Sequence, residues 1–295
     1  MNSPLSLLVA TDLSAPSRHA AQRAAMLAKR PGVKLDLVYV LEKSALTDLR
    51  RLLGEQSSAM EGRFHAQANE ALTQLAADMH ARCGTAVDFH VVEGSVPGAI
   101  AAQADLLNVN LLVVGARGAG FMRHWLLGAT AERLLRKTVR PILVAKQAPH
   151  EPYRSVLVPV DFSPLTPFAI KLTQDISPQA QLILLHACEL PFEGKMRFAG
   201  VEEATILQHR ETIRREALAR LNEVAADAKL APGKWLPVVV FGNPSHCILE
   251  QEEEQGADLI VLGKHGMGMT EELLLGSVTK HVLGQARSDV LVVAR

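Results

Sequence analysis

Two segments near the start of the chain return in its second half at almost the same spacing. Leu7-Leu8-Val9-Ala10-Thr11-Asp12-Leu13-Ser14 reappears as Val156-Leu157-Val158-Pro159-Val160-Asp161-Phe162-Ser163, and Leu112-Val113-Val114-Gly115-Ala116-Arg117-Gly118 as Ile260-Val261-Leu262-Gly263-Lys264-His265-Gly266. Asp12 and Asp161 lie 149 residues apart and Gly115 and Gly263 lie 148 apart, so nearly the whole interval is preserved. A unit of roughly 150 residues buries enough surface to fold by itself. The chain therefore reads as one fold duplicated, with a first domain over residues 1–148 and a second over 153–295. The short joint, Gln147-Ala148-Pro149-His150-Glu151-Pro152, favours extended geometry through its prolines and is expected to hold the domains close.

The hydrophobic pattern within each copy alternates strands and helices. In the first, apolar runs at Leu5–Ala10, Leu35–Leu41, Val87–Val92, Leu111–Val114 and Ile142–Ala145 read as buried strands. Between them fall an Ala-rich helix opened by Ser14-Ala15-Pro16-Ser17, a long helix over 56–82, a helix over 97–107 and one over 125–138. In the long helix, Met60, Phe64, Ala68, Leu72, Leu75 and Met79 recur at three- and four-residue steps and are expected in the core. The second copy repeats the order, with strands near Val156–Val160, Leu182–Ala187, Pro237–Phe241, Leu259–Leu262 and Val290–Val293 and helices starting near Pro164, Gly200, Pro244 and Glu271. This predicts an α/β fold: two similar domains, each a five-stranded, mostly parallel sheet with helices on both faces. In such sheets ligands bind beyond the strand C-termini, where the winding reverses. Asp12 and Asp161 follow strand one and the glycine clusters follow strand four, so the two motifs flank one crevice if those strands are neighbours.

The loops after strand four carry the chemistry. Gly115 and Gly118 are followed, after nine residues, by Gly128; Gly263 and Gly266 are followed, again after nine, by Gly276-Ser277. Glycine permits close approach of a backbone to a ligand and positive φ, and successive exposed N–H groups make a cradle for anionic oxygens. A phosphate-bearing ligand is the direct inference. The chain lacks the Gly-Lys-Ser/Thr of a Walker A loop, and strand one ends in Asp rather than in a dinucleotide glycine fingerprint, which excludes P-loop and Rossmann readings.

The pattern Gly263-x-x-Gly266, nine residues, Gly276-Ser277, with Val158-Pro159-Val160-Asp161 upstream, resembles the nucleotide-binding signature of the universal stress protein family, in two copies as in its tandem-domain members. The resemblance implies an adenine-nucleotide α-hydrolase-like fold with strand order 3-2-1-4-5 in each domain, and ATP, with or without Mg²⁺, as ligand. Asp161 then faces the adenosine portion, Gly263 and Gly266 wrap the ribose and first phosphates, and Gly276 and the Ser277 hydroxyl hold the later ones. Asp12, Gly115, Gly118 and Gly128 are the first-domain counterparts. Ala129 stands where the pattern has Ser or Thr, and a missing bond to a charged oxygen costs roughly 1.5–3 kcal/mol, so the second site is expected to bind more tightly. The resemblance also implies a role in stress tolerance and a meeting of the final strands, Ile142–Ala145 and Val290–Val293, in an intramolecular pseudo-dimer about an approximate two-fold axis; a homodimer of the whole chain stays open.

Other features narrow the function further. With 31 basic residues against 31 acidic, and aromatics at only 4%, the chain lacks a broad nucleic-acid footprint. Its basic cluster, Arg117, Arg123, His124, Arg133, Arg136, Lys137 and Arg140, reads as a solvated helix face. Cys83, Cys188 and Cys247 are isolated, implying a reducing compartment, and neither a signal-peptide start nor a spanning apolar run is present. A cytoplasmic protein without membrane partners is expected. None of the eleven histidines shows zinc-ligand spacing, so no metal site is assigned; His186, in a strand, reads as a packed residue or as one supporting the site from behind, and His265 as either phosphate-facing or solvated. Asp161 lacks a repeated acidic partner for phosphoryl chemistry, so no catalytic residue is assigned and any ATPase activity is expected to be weak. Two further readings stay open: an interaction scaffold with vestigial pockets, and a slow adenine-nucleotide hydrolase.

Overall fold

The computed structural model describes residues 5–53, 57–118, 127–189, 195, 198–266 and 275–294. The chain divides into two compact units. The first is built on β1 (Ser6–Ala10), β2 (Lys34–Glu42), β3 (Val87–Gly94), β4 (Leu111–Gly115) and β5 (Ile142–Ala145), with helices α1 (Ala15–Leu27), α2 (Lys43–Leu53), α3 (Ser57–Cys83), α4 (Val96–Leu106) and α5 (Ala129–Lys137). β1 pairs in parallel with both β2 and β4, β2 with β3, and β4 with β5. Leu7, Leu8 and Val9 are fully buried, as are Leu111, Leu112 and Val113, which is what an unbroken apolar strand requires when helices cover both faces.

The second unit repeats the arrangement with β6 (Ser155–Pro159), β7 (Gln181–Cys188), β8 (Trp235–Phe241) and β9 (Leu259–Gly263), and helices α6 (Thr166–Ile176), α7 (Glu203–Asp227), α8 (Pro244–Glu254) and α9 (Ser277–Gln285). Here β6 pairs in parallel with β7 and β9, and β7 with β8. Ser14 caps α1 by accepting from the Ser17 N–H, and Asn243 caps α8 by accepting from the Ser245 N–H, each with a proline in the first turn. No described helix is long and apolar enough to cross a membrane.

The last strand, β10 (Asp289–Val293), comes from the second repeat but packs in the first unit. It runs antiparallel to β5, with Val290 opposite Val144, Leu291 opposite Leu143 and Val292 opposite Ile142. All six side chains are buried. The two final strands thus meet, as the resemblance implied, but one compact unit contains them both. An ion pair fixes the strand where it enters: Arg23 Nε donates to Asp289 Oδ2 at 3.1 Å, with the carboxylate side chain 1% exposed. Asp289 Oδ1 accepts from the Lys146 N–H at 2.8 Å, and Arg23 Nη1 donates to the Glu151 carbonyl at 2.8 Å. One buried carboxylate therefore ties β10, the end of β5 and α1 together.

Some elements differ from the sequence pattern. In α3, Ala68, Leu72, Leu75 and Met79 are buried, but Phe64 is 40% exposed and Met60 half-buried. A 27-residue helix is about 40 Å long, whereas the 8-residue β3 extends about 27 Å, so the first turns of α3 overhang the sheet. Helix α2 lies where no element was expected. The helix before β5 begins at Ala129, after the N-cap Gly128, and the residues proposed for its start lie outside those described, as does Glu271 in the second repeat. Helix α7 starts at Glu203 rather than Gly200.

Asp289→Ala strands the buried guanidinium of Arg23 and removes the acceptor of the Lys146 N–H. Loss of one partner of a buried pair costs about 3–5 kcal/mol, and urea unfolding of the full chain should show a destabilisation of that order. A loss under about 1 kcal/mol would show that the pair does not hold β10.

Candidate functional site

Each site begins with a turn that the strand-one aspartate makes with its own backbone. Asp161 Oδ1 accepts from the Ser163 N–H at 2.9 Å, and Asp12 Oδ1 accepts from the Ser14 N–H at 3.0 Å and from the Ser14 hydroxyl. The residue between is forced into left-handed geometry in both copies, Leu13 at φ 64° and Phe162 at φ 59°. Such a conformation costs a non-glycine residue of order 1–3 kcal/mol and is retained where the surroundings over-determine it. It leaves Oδ2 of each aspartate turned toward the strand-four loop: a Cβ built on Gly118 would lie 2.8 Å from Asp12 Oδ2, and one on Gly266 would lie 3.4 Å from Asp161 Oδ2.

None of the six motif glycines has positive φ. The sequence argument that they supply left-handed backbone is corrected here; that geometry falls on Leu13 and Phe162, and the glycines supply space. A Cβ on Gly115 would lie 3.0 Å from the Pro16 carbonyl, and one on Gly263 would lie 3.0 Å from the His265 carbonyl oxygen. Gly128 and Gly276 are N-caps of α5 and α9, with φ −63° and −57°, and their N–H groups donate to Ala116 O at 2.8 Å and Lys264 O at 2.9 Å. These bonds fold each loop back, so that a helix N-terminus stands beside the glycine pair and opposite the aspartate.

Both loops border a cavity. That of the second unit is about 340 Å³ and is bounded by Asp161, Gly263, Gly266, Gly276 and Ser277 on its polar side, with Leu185, Ile248 and Leu262 forming apolar wall. That of the first, about 320 Å³, is bounded by Asp12, Gly115, Gly118, Gly128 and Ala129, with Val38, Val40 and Ile100. All ten of these motif positions therefore lie on cavity walls, and each set is brought together within one unit. Exposed N–H groups at the α9 N-terminus and the partial positive charge of its dipole suit an anion. Ser277, the first helical residue, adds a hydroxyl; the neighbouring Thr279 hydroxyl is engaged, donating to Gly263 O at 2.7 Å.

Four wall residues were misjudged or missed from sequence. Arg117, read as part of a solvated face, lines the first cavity, as does Thr130; elsewhere in that cluster Arg136 pairs with Glu132 and Arg140 with Asp105, while Arg123 and His124 lie outside the described residues. Tyr39 lines the first cavity and His186 the second. The available signal was register: Ala10 pairs with Val38 and Pro159 with Leu185, so Tyr39 and His186 each sit one residue further along, level with the strand-one turn. His265 also lines the second cavity. The nearby thiols offer no activated nucleophile. Burial pushes Cys188 up despite the opposing Arg214 guanidinium, and burial with Glu250 pushes Cys247 up.

A sequence model of the universal stress protein family matches residues 6–146 and again 152–294. A universal stress protein of Mycobacterium bovis is 29% identical over 194 residues, which are 62% of this chain; the match spans only 61% of that relative's length. One from Methanocaldococcus jannaschii is 28% identical over 155 residues, 48% of this chain and 96% of its own. In fold, the crystal structure of a universal stress protein from Archaeoglobus fulgidus matches over 100% of both chains, with a TM-score of 0.70 at 21% identity. The chain belongs to the universal stress protein family and carries two of its domains in tandem.

The packing of the glycines predicts unequal tolerance. Gly115→Ala drives a methyl into backbone that cannot swing aside and should destabilise by about 1–3 kcal/mol. Gly266→Ala meets only a carboxylate at contact distance, at negative φ, and should stay within about 1 kcal/mol of wild type. Chemical denaturation of the two variants checks the order, and equal losses would contradict it.

Proposed function

We propose that this universal stress protein binds ATP, chiefly in the cavity of its second domain, and serves in the stress response as a regulatory or protective protein. One observation carries the reading: Asp161, the Gly263–Gly266 turn and the N-terminus of α9 with Ser277 converge on a single cavity, polar where a phosphate chain needs donors and apolar where a base needs cover. The cavity volume, about 340 Å³, is in the range of small-molecule sites. The cytoplasm is the proposed location, with Mg²⁺ accompanying the nucleotide through the phosphates rather than through a dedicated protein site.

Binding rather than turnover suits these groups. Asp161 Oδ1 is occupied by the Ser163 N–H, which fixes the carboxylate in the turn after strand one with Oδ2 toward Gly266. Slow hydrolysis would not change the assignment of the site. The first cavity ranks second because Ala129 begins α5 where Ser277 begins α9. Arg117 and Thr130 give it a cation and a hydroxyl of its own, so weaker binding rather than none is proposed there.

Titration calorimetry of the full chain with ATP tests both the site and the ranking. Gly276→Val places its Cβ 3.3 Å from Lys264 O and adds branches where phosphate must approach, so the tighter binding event should vanish. Ser277→Ala removes one charge-assisted bond worth roughly 1.5–3 kcal/mol, about tenfold to 150-fold in Kd. Gly128→Val should leave the tighter event intact. Wild-type affinity in folded Gly276→Val, or loss of the tighter event in Gly128→Val, would sink the assignment.

A further inference from the structure

At the opposite end of the first sheet from the aspartate turn, where β1, β2 and β3 begin, lies a third cavity of about 520 Å³. Ser6, Lys34, Asp36, Asp88, His90 and Leu107 line it, and it shares no lining residue with the first cavity. Parallel pairing sets Asp36 directly beside Asp88, and side chains two residues apart on a strand share a face, so Lys34, Asp36, Asp88 and His90 gather on one face of the sheet. Asp36 is only 8% exposed. His90 Nε2 donates to its Oδ1 at 2.9 Å, and Oδ2, without a hydrogen-bond partner among the described residues, is left to the cavity. Asp88 and Lys34, both exposed at the rim, form no ion pair among the described residues.

The second copy shows that the fold does not need these charges. Its register sets Ile183 beside Leu236 where the first sets Asp36 beside Asp88, and Val238 stands in place of His90. A carboxylate buried to this degree costs stability unless its oxygens are bonded, and like charges side by side on neighbouring strands repel. Both costs fall when a cation sits between Asp36 Oδ2 and Asp88. We propose that this corner of the first domain binds a small organic cation, an alkyl ammonium or a guanidinium, held by the Asp36 and Asp88 carboxylates while His90 fixes Asp36 from its other oxygen. The donor set decides against a metal ion, because among the described residues no group of three or more His, Cys, Asp or Glu side chains could hold one. An ammonium or guanidinium is itself the donor and is satisfied by charge-assisted bonds to two carboxylates. Two carboxylates against Lys34 give the cavity the required sign, and its volume is that of a small-molecule site.

Probes of matched carbon chain separate charge from size on the full chain: putrescine carries two ammonium groups, butane-1,4-diol is neutral, succinate carries two carboxylates, and agmatine presents a guanidinium. Titration calorimetry should show saturable binding of putrescine and agmatine and none of the diol or of succinate. The backbone amide resonances of Asp36, Asp88 and His90 should move on addition of either amine. Asp36→Asn keeps an oxygen for His90 but removes the charge, and should weaken both amines at least about tenfold. Asp88→Asn, at the exposed rim, should weaken them about threefold without affecting the fold. A triple variant, Asp36→Ile with Asp88→Leu and His90→Val, carries the second copy's residues and should fold while binding neither amine. If Asp36→Asn fails to fold, Asp88→Asn and the wild-type probe series decide. Several results would each overturn the proposal: no binding of either amine to wild type, diol or succinate bound as well as putrescine, amine binding undiminished in Asp88→Asn and the triple variant, or resonance shifts confined to other parts of the chain. Displacement of the amines by equimolar Mg²⁺ or Zn²⁺ would make this a metal site and overturn it as well.

Discussion

Everything at the two sites depends on strand one lying next to strand four. In the first unit, Leu7 to Ala10 pair with Leu111 to Val114, and in the second, Val156 and Leu157 pair with Leu259 and Ile260, each in parallel. Parallel neighbours end on the same edge of a sheet, so the turn after strand one and the loop after strand four open side by side. The pairing is enforced by burial: strands that are apolar on both faces have no other low-energy environment. That adjacency leaves Asp12 Oδ2 2.8 Å from where a Cβ on Gly118 would lie, and Asp161 Oδ2 3.4 Å from where one on Gly266 would lie.

Within this shared frame the two copies differ in the residues that line their cavities. Arg117, Tyr39 and Ala129 in one cavity correspond to His265, His186 and Ser277 in the other. Ala116, in the first loop, becomes Lys264, a residue only 2% exposed. The backbone requirements, a tight turn at Gly115 and Gly263 and a glycine cap at Gly128 and Gly276, are kept in both. The two copies thus share a backbone shape and differ in the polar groups that each cavity presents.

The sequence made the strands, the aspartates and the glycines visible because they answer to local rules: apolar runs, turn residues and fixed spacing. What it hid was set by tertiary geometry. Phe64 continues the apolar stripe of α3 but lies beyond the end of the sheet, and no periodicity encodes where a neighbouring strand stops. Helix α2 had its own signal in Leu46, Leu49 and Leu53, at three- and four-residue steps, which the sequence reading did not use. The motif glycines border the cavities, and the close backbone approach expected of them stands; the positive φ also ascribed to them does not, since φ depends on how the loop closes against Pro16 or His265. His186 looked like core because strand position alone does not tell which residue comes level with a turn on the next strand. The packing of β10 in the first unit rests on Arg23 and Asp289, 266 residues apart, a pairing without local signal.

The most direct test of the account is a crystal structure of the full chain grown with saturating ATP. It predicts nucleotide density in the second cavity, with the later phosphates at Gly276, Ser277 and the α9 N-terminus and the ribose beside Gly263 and Gly266. Density for ATP only outside this cavity, or a second cavity without nucleotide at saturation, would contradict it.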